Sequence, residues 1–300
     1  MAVDAVREFS RFYTNVIGVL REGLLDTPYT LTEGRVVYEL AQRESTEVAD
    51  LRRALDIDPG YMSRILAAFE ADGLVTRSRS ARDGRRQVIA LTRHGRDAFA
   101  TLNERSAGEI KQLLSPLSHH DRARLVESLG VGRQLLGDEL RGRVTLRAPT
   151  SGDYGWVVER HGVLYRTEFD WDETMEGLIA TIVGTFAQGH DPERERAWIA
   201  ELAGVRVGCV FCVRKSDDVA QLRLLLVEPA ARGHGLGTRL VDACIDFARG
   251  AGYRELVLWT NDVLHAARRI YERAGFQLVE EGRHHRFGQD LVEQTWSLEL

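Results

Sequence analysis

LRLLLVEPAARGHGLGTRL, residues 222–240, decides the fold of the second half of this chain. An apolar run rich in Leu and Val ends at Pro229. A glycine-rich segment, Arg232-Gly233-His234-Gly235-Leu236-Gly237, follows and opens into a periodic pattern at Leu240, Cys244 and Phe247. The order is strand, tight turn, helix. Small residues let the chain turn sharply and let a ligand approach the backbone, while the first N–H groups of a helix have no partner within it. Such donors favour an anion, and a diphosphate is the natural guest. The spacing is Arg-x-x-Gly-x-Gly. It is neither the Gly-x-Gly-x-x-Gly of dinucleotide folds nor a loop ending in Gly-Lys-Ser/Thr. An ordinary strand-to-helix turn is the alternative reading.

The segment resembles motif A of the GNAT acetyltransferases. That resemblance assigns Arg232, Gly233, His234, Gly235, Leu236, Gly237 and Thr238 to the pyrophosphate of acetyl-coenzyme A. Downstream, Leu256 to Thr260 reads as a strand and Leu264 to Ala274 as a helix stopped by Gly275. Within it, Ala267-x-x-Ile270-Tyr271-x-x-x-Gly275-Phe276 matches motif B. By the resemblance Tyr271 lies near the coenzyme A thiol and protonates the leaving thiolate; helical spacing alone reads it as an aromatic packed on a sheet. Members of the family often carry Asn three residues before the motif B alanine, where this chain has Leu264. Asn261 is the nearest candidate, either reaching the cofactor or capping the helix.

Acyl transfer from a thioester to an amine needs a neutral amine, a stabilised oxyanion and a protonated leaving thiolate. The resemblance places the backbone of Leu226 and Val227, where the central strands splay, at the acetyl carbonyl. No motif supplies the base. Glu228 is the candidate, with Glu255, Asp217 and Asp218 more distant and a water chain as another route. By the resemblance, the acceptor falls between Tyr154 to Phe186 and Gly282 to Trp296. In the latter, Arg283-His284-His285-Arg286 reads either as a grip for an acidic acceptor or as a solvated loop. Adjacent histidines without a spaced partner give no metal signature, so no metal is expected.

The first half has a different pattern. Val6, Phe9, Tyr13, Val16, Ile17 and Leu20 recur at helical spacing. Thr30 to Leu40 reads as a second helix, and Ser45 or Thr46 as the cap of a third carrying Val48, Leu51 and Leu55. Asp58 caps a fourth with Pro59 in its first turn, and Met62, Ile65, Leu66 and Phe69 face inward before Gly73. Two short helices joined by a turn make a helix-turn-helix. Leu74 to Arg79 and Gln87 to Leu91 then alternate as a hairpin around Arg82-Asp83-Gly84-Arg85. From Arg77 to Arg96 there are seven arginines and one acid. Concentrated charge in a near-neutral region marks a directed basic face.

Residues 30 to 95 resemble the MarR family of winged helix-turn-helix regulators, through Tyr61-Met62-Ser63-Arg64-Ile65-Leu66, Glu70-x-Asp72-Gly73-Leu74-Val75, Asp83-Gly84-Arg85 and Leu91-Thr92-x-x-Gly95. By that resemblance Pro59, Gly60, Tyr61, Ser63 and Arg64 begin a recognition helix in the major groove of double-stranded DNA, and Arg82, Arg85 and Arg86 on the wing meet phosphates or the minor groove. The wing also reads as a solvated hairpin on a protein-docking module. The outer helices, Val3 to Leu24, Gly95 to Leu114 and Ser118 to Leu140, imply a homodimer.

The chain of 300 residues favours two domains. The expected fold is a mainly-α winged helix-turn-helix over 1–142, then an α/β GNAT acyltransferase with a mixed, splayed central sheet over 143–300. No apolar stretch approaches the roughly 18 residues that cross a bilayer, and the N-terminus lacks a secretion signal, so a cytoplasmic protein is expected. Cys209 and Cys212 sit at an odd offset in a strand pattern, on opposite faces, which argues against a disulfide or shared zinc. The expected function is regulation of transcription joined to acetyl transfer onto a small-molecule or protein amine. A repressor whose second half only senses acetyl-coenzyme A or a metabolite is the alternative, and a first half that only dimerises an enzyme is a third.

Overall fold

The computed structural model describes residues 1–18, 24–79, 86–138 and 142–300. They divide into two compact units, Met1–Leu117 and Ser118–Leu300.

In the first unit, α1 (Ala2–Val16) precedes α2 (Leu31–Ala41), β1 (Thr46–Glu47), α3 (Val48–Leu55), α4 (Pro59–Ala71), β2 (Val75–Arg79), β3 (Gln87–Leu91) and α5 (Arg93–Leu114). The short sheet has the order β1-β3-β2 and is antiparallel throughout. Helix starts follow side-chain chemistry. Thr30 and Glu33 form a capping box on α2, Asp58 accepts from Tyr61 N–H at the start of α4, and Thr92 accepts from Gly95 N–H at the start of α5. Val36, Leu40, Leu51, Met62, Leu66 and Ile89 form the centre of one apolar core. The cap expected at Ser45 or Thr46 does not form. Thr46 pairs with Ile89 in β1, and α3 starts from Glu47 without a side-chain cap. Pairing with β3 takes the backbone of Thr46 before it can serve the helix.

The second unit opens with α6 (His119–Leu135), then β4 (Val144–Arg147), α7 (Asp153–Phe169), α8 (Glu173–Gly189), β5 (Arg196–Leu202), β6 (Val205–Arg214), β7 (Val219–Val227), α9 (Leu236–Gly250), β8 (Glu255–Asn261), α10 (His265–Ala274), β9 (Gln277–Arg286) and β10 (Gln289–Glu299). The seven-stranded sheet runs β4-β5-β6-β7-β8-β10-β9. Only the β7–β8 pair is parallel, so the sheet is mixed. One face carries α9 and α10 over Val210, Cys212, Leu240 and Cys244; the other carries α7 and α8 over Cys209, Phe211, Val157 and Ile179. Cys209 and Cys212 therefore lie on opposite faces, as their offset requires.

Residues 118–138 group with this second unit, whereas the sequence division set them in the first, whose boundary was expected at 142. Charge and close packing account for the difference. Arg206 on β6 holds Glu127 on α6 through two bonds of 2.6 and 2.8 Å, and a Cβ on Gly130 would lie 2.1 Å from Val205 Cγ2.

Candidate functional site

The site is made by a defect in β7. Leu224 takes a left-handed φ of 54°, and the register with β6 slips between Cys209 and Phe211. Left-handed backbone costs an ordinary L residue about 1–2 kcal/mol, and a bulge of this kind bends its strand. Leu224 and Leu226 consequently pack toward α7 and α8, while Leu222 and Leu225 pack toward α9. Beyond the bulge β7 leaves its parallel neighbour: pairing with β8 runs only from Val219↔Glu255 to Leu222↔Leu258. Alternate residues of an antiparallel strand turn their N–H groups to opposite sides. Glu228 N–H donates to Val207 O on β6 at 2.9 Å, so Val227 N–H turns to the side that β8 has vacated.

The loop after β7 is open by construction. Gly233 and Gly235 have φ of 80° and 72°, and a Cβ at either would meet nothing within 4 Å. Gly235 is the residue before α9 and has no side chain to cap it. The helix's own bonding begins with Arg239 N–H to Gly235 O at 3.1 Å, which leaves the N–H groups of Leu236, Gly237 and Thr238 directed out of the helix start. That arrangement suits an anion. Gly237 has a second reason to be glycine: its Cβ would lie 2.6 Å from Ile270 Cδ1, so it lets α9 and α10 pack closely. His234 is exposed, with Nδ1 2.9 Å from Arg232 O. Arg232 donates to Val227 O at 3.1 Å and grips both carboxylate oxygens of Glu168 on α7 at 2.9 and 2.8 Å.

Between the parted strands lies a cavity of about 80 Å³, bounded by α7, α8, β7, β8 and α10. Tyr271 lines it from α10. Its hydroxyl makes no hydrogen bond to a described residue, and burial, helped by Tyr165, pushes its pKa well above that of a free phenol. Tyr271 thus keeps its proton. Asn261 also lines the cavity. Its Oδ1 lies 2.9 Å from His284 Nε2, and its Nδ2 is buried without a partner. Of the two uses open to Asn261 in the sequence, capping is not the one adopted, because α10 starts at Leu264 with no side-chain cap.

Glu228 stands apart from this cavity. Arg160 on α7 donates to its two oxygens at 2.6 and 3.0 Å, so both acceptor positions are committed to an ion pair. The geometry makes Glu228 an anchor between α7 and the end of β7. A residue the sequence reading passed over faces the cavity instead. His161 is buried on α7 and its Nδ1 lies 2.7 Å from Val157 O, so Nδ1 carries the proton and Nε2 is left as a bare acceptor. Burial lowers its pKa to about 4. The signal was present: His161, Tyr165 and Phe169 recur every fourth residue as a ring-bearing stripe. His161 stacks on Tyr165 at 5.9 Å.

In the first unit, Pro59, Gly60, Tyr61, Ser63 and Arg64 are all exposed at the start of α4, and the Arg64 guanidinium lies 5.7 Å over the Tyr61 ring. Arg86 pairs with Glu47 at 2.8 Å. Arg82 and Arg85 lie outside the described residues.

The second unit thus sets a bulged strand that parts from its neighbour beside an uncapped helix start, and the first unit is a winged helix-turn-helix. The model of the acetyltransferase (GNAT) family matches residues 158–276, and the MarR family model matches residues 29–86. The chain therefore carries a MarR-family segment followed by a GNAT-family segment. Among curated proteins it is 38% identical to the N-acetylaspartate synthetase of Danio rerio, over 28% of this chain and 30% of that protein. It is 32% identical to an uncharacterised N-acetyltransferase of Methanocaldococcus jannaschii, over 28% and 39% respectively. The chain spans about a third of the length of these relatives. An N-acetyltransferase structure from Staphylococcus aureus Mu50 aligns at 15% identity and a TM-score of 0.45, over 53% of this chain and 99% of that one.

Proposed function

We propose that the second unit transfers an acetyl group from acetyl-coenzyme A to an amine, within a protein whose first unit binds double-stranded DNA. The observation that carries the enzymatic reading is the joint placement of the uncapped α9 start, the free side of Val227 and the buried Tyr271 hydroxyl around parted strands. The N–H groups of Leu236, Gly237 and Thr238, with the open backbone of Gly233 and Gly235, suit the diphosphate. Acetyl-coenzyme A, when bound, supplies an activated thioester. Val227 N–H serves as the donor to the acetyl carbonyl, and Leu226 fixes that donor's direction by pairing with Cys209 on β6. Tyr271 holds a proton for the departing sulfur, since burial keeps its phenol neutral. His161 Nε2 takes the proton that the attacking amine loses. Burial keeps it neutral above about pH 4, so Nε2 is unprotonated there.

The winged unit is read as a DNA-binding module because the exposed start of α4 presents Ser63 and Arg64, and the hairpin is rich in arginine. Homodimerisation is supported by α1, on which Val3, Val6, Phe9 and Phe12 are exposed. An apolar helix face of that size asks for a partner. The amphipathic stripe of α1 and the three free cysteines fit a cytoplasmic homodimer.

The test is thiol release. With an amine panel, Tyr271→Phe should lower kcat by about a hundredfold while leaving coenzyme A affinity within about twofold, in keeping with the range for a positioned acid. Coenzyme A binding that alters DNA affinity without turnover of any amine would instead favour the sensor reading, which the commitment of Glu228 to Arg160 also suits.

A further inference from the structure

The bulge at Leu224 has a neighbour whose charge is unspent. Arg223 lies in the middle of β7, on the face toward α8, and lines the cavity between the parted strands. It also lines an adjoining groove of about 320 Å³ together with Lys215 and Arg286. Among the described residues, none of these three cations makes an ion pair, whereas Arg147, Arg160, Arg206 and Arg232 in the same unit are each held by carboxylates. The contrast matters because an arginine that loses water without gaining an anion is costly. Burial indeed lowers the pKa of Arg223.

The lining as a whole has one sign. Among the described residues, cavity and groove together present Arg223, Lys215 and Arg286 and no Asp or Glu side chain. Glu293, on the neighbouring β10, is occupied by the Trp259 indole N–H at 2.9 Å. Low-dielectric walls formed by Leu178 and Trp259 strengthen the field of the cations. A polyamine or other multiply cationic acceptor would be repelled there. A carboxylate, which a guanidinium meets with two parallel hydrogen bonds, would be drawn in.

We infer that Arg223, supported by Lys215 and Arg286, binds the carboxylate of the acceptor, and that the acceptor class is therefore amines bearing a carboxylate, with amino acids of acidic side chain favoured. The inference rests on the acetyl-transfer reading for the reaction, but the anion subsite is a property of these side chains alone. His161 and Tyr271 line the same cavity as Arg223. An amine whose carboxylate sits on Arg223 is thus held beside the groups that handle its proton.

The experiment compares matched acceptors, glutamate against glutaminamide and phenylalanine against phenethylamine, with wild type and Arg223→Gln. Thiol release gives kcat/KM, and calorimetry in the presence of coenzyme A gives acceptor binding. Wild type should prefer the carboxylate-bearing member of each pair by at least about tenfold, and Arg223→Gln should erase that preference while leaving the amide or simple amine within about twofold. Arg223→Lys should restore part of it, because the charge returns without the planar fork. Equal use of both members, a preference for polyamines, or a preference that survives Arg223→Gln overturns the inference and leaves acetyl transfer standing. If no amine releases thiol but glutamate binds wild type and not Arg223→Gln, the subsite stands and the acetyl-transfer reading falls.

Discussion

Two helix starts in this chain solve the same problem in opposite ways. At α4 the carboxylate of Asp58 accepts from Tyr61 N–H at 2.9 Å, and Pro59 removes another donor from the first turn. At α9 the preceding residue is Gly235, and no side chain closes the end. Both helices present a positive end to the surface, yet only one keeps it for itself. On the proposed DNA-binding reading, the closed start leaves α4 to act through side chains such as Ser63 and Arg64, as reading base edges demands. The open start offers backbone donors, which recognise a phosphate without regard to what is attached to it.

The strongest way to break this contrast is to close the open end. Gly235→Asp would place a carboxylate where the anion belongs and let it take the donors of α9. Coenzyme A affinity should fall by about a hundredfold, from lost donors and like-charge repulsion together. Gly235→Ala is the control. It carries the same left-handed strain without the charge, so it should lower stability by about 1 kcal/mol and keep most of the affinity. Equal loss of affinity in both variants, measured by calorimetry, would mean that backbone shape rather than open donors makes the site.

The strand-loop-helix and the helix that carries Tyr271 were legible in the sequence because they are local. A strand, two left-handed glycines and a helix occupy consecutive residues, and motif B lies within a single helix. The partners of Glu228 were not, because Arg160 is sixty-eight residues away on an earlier helix. Sequence spacing cannot announce a bidentate pair formed by packing α7 across the end of β7. The same holds for α6: Arg206 and Gly130 dock it in the second unit, while Leu129, Leu135 and Leu136 stay exposed. Thr46 shows the converse, a residue suited to capping that was claimed by sheet pairing with Ile89.

His161 extends the contrast from open donors to an open acceptor in the same unit. Folding lowers its pKa from the ordinary 6.5 to about 4, with burial as the main cause. The unfolded chain therefore binds a proton that the native state refuses. Stability from this residue is complete above about pH 6.5, falls as pH drops toward 4, and levels off below. The shift corresponds to roughly 3 kcal/mol across that window. In His161→Gln, denaturant unfolding should lose this acid-side slope. A slope unchanged by the substitution would assign it to carboxylates elsewhere and remove the case for a neutral, proton-accepting His161.

The smallest effect belongs to the closed end. Asp58→Ala removes the acceptor of Tyr61 N–H and should cost about 1 kcal/mol of stability, the usual worth of an N-cap. Because α4 works through side chains, the loss should appear in thermal unfolding of the first unit and leave coenzyme A affinity untouched. DNA affinity, measured well below the melting temperature, should not fall, since the variant also removes a negative charge from the exposed start of α4. A large loss of DNA binding in a folded Asp58→Ala protein would show that the cap orients the helix for recognition as well as closing it. The two helix starts would then differ in degree of involvement, not in kind.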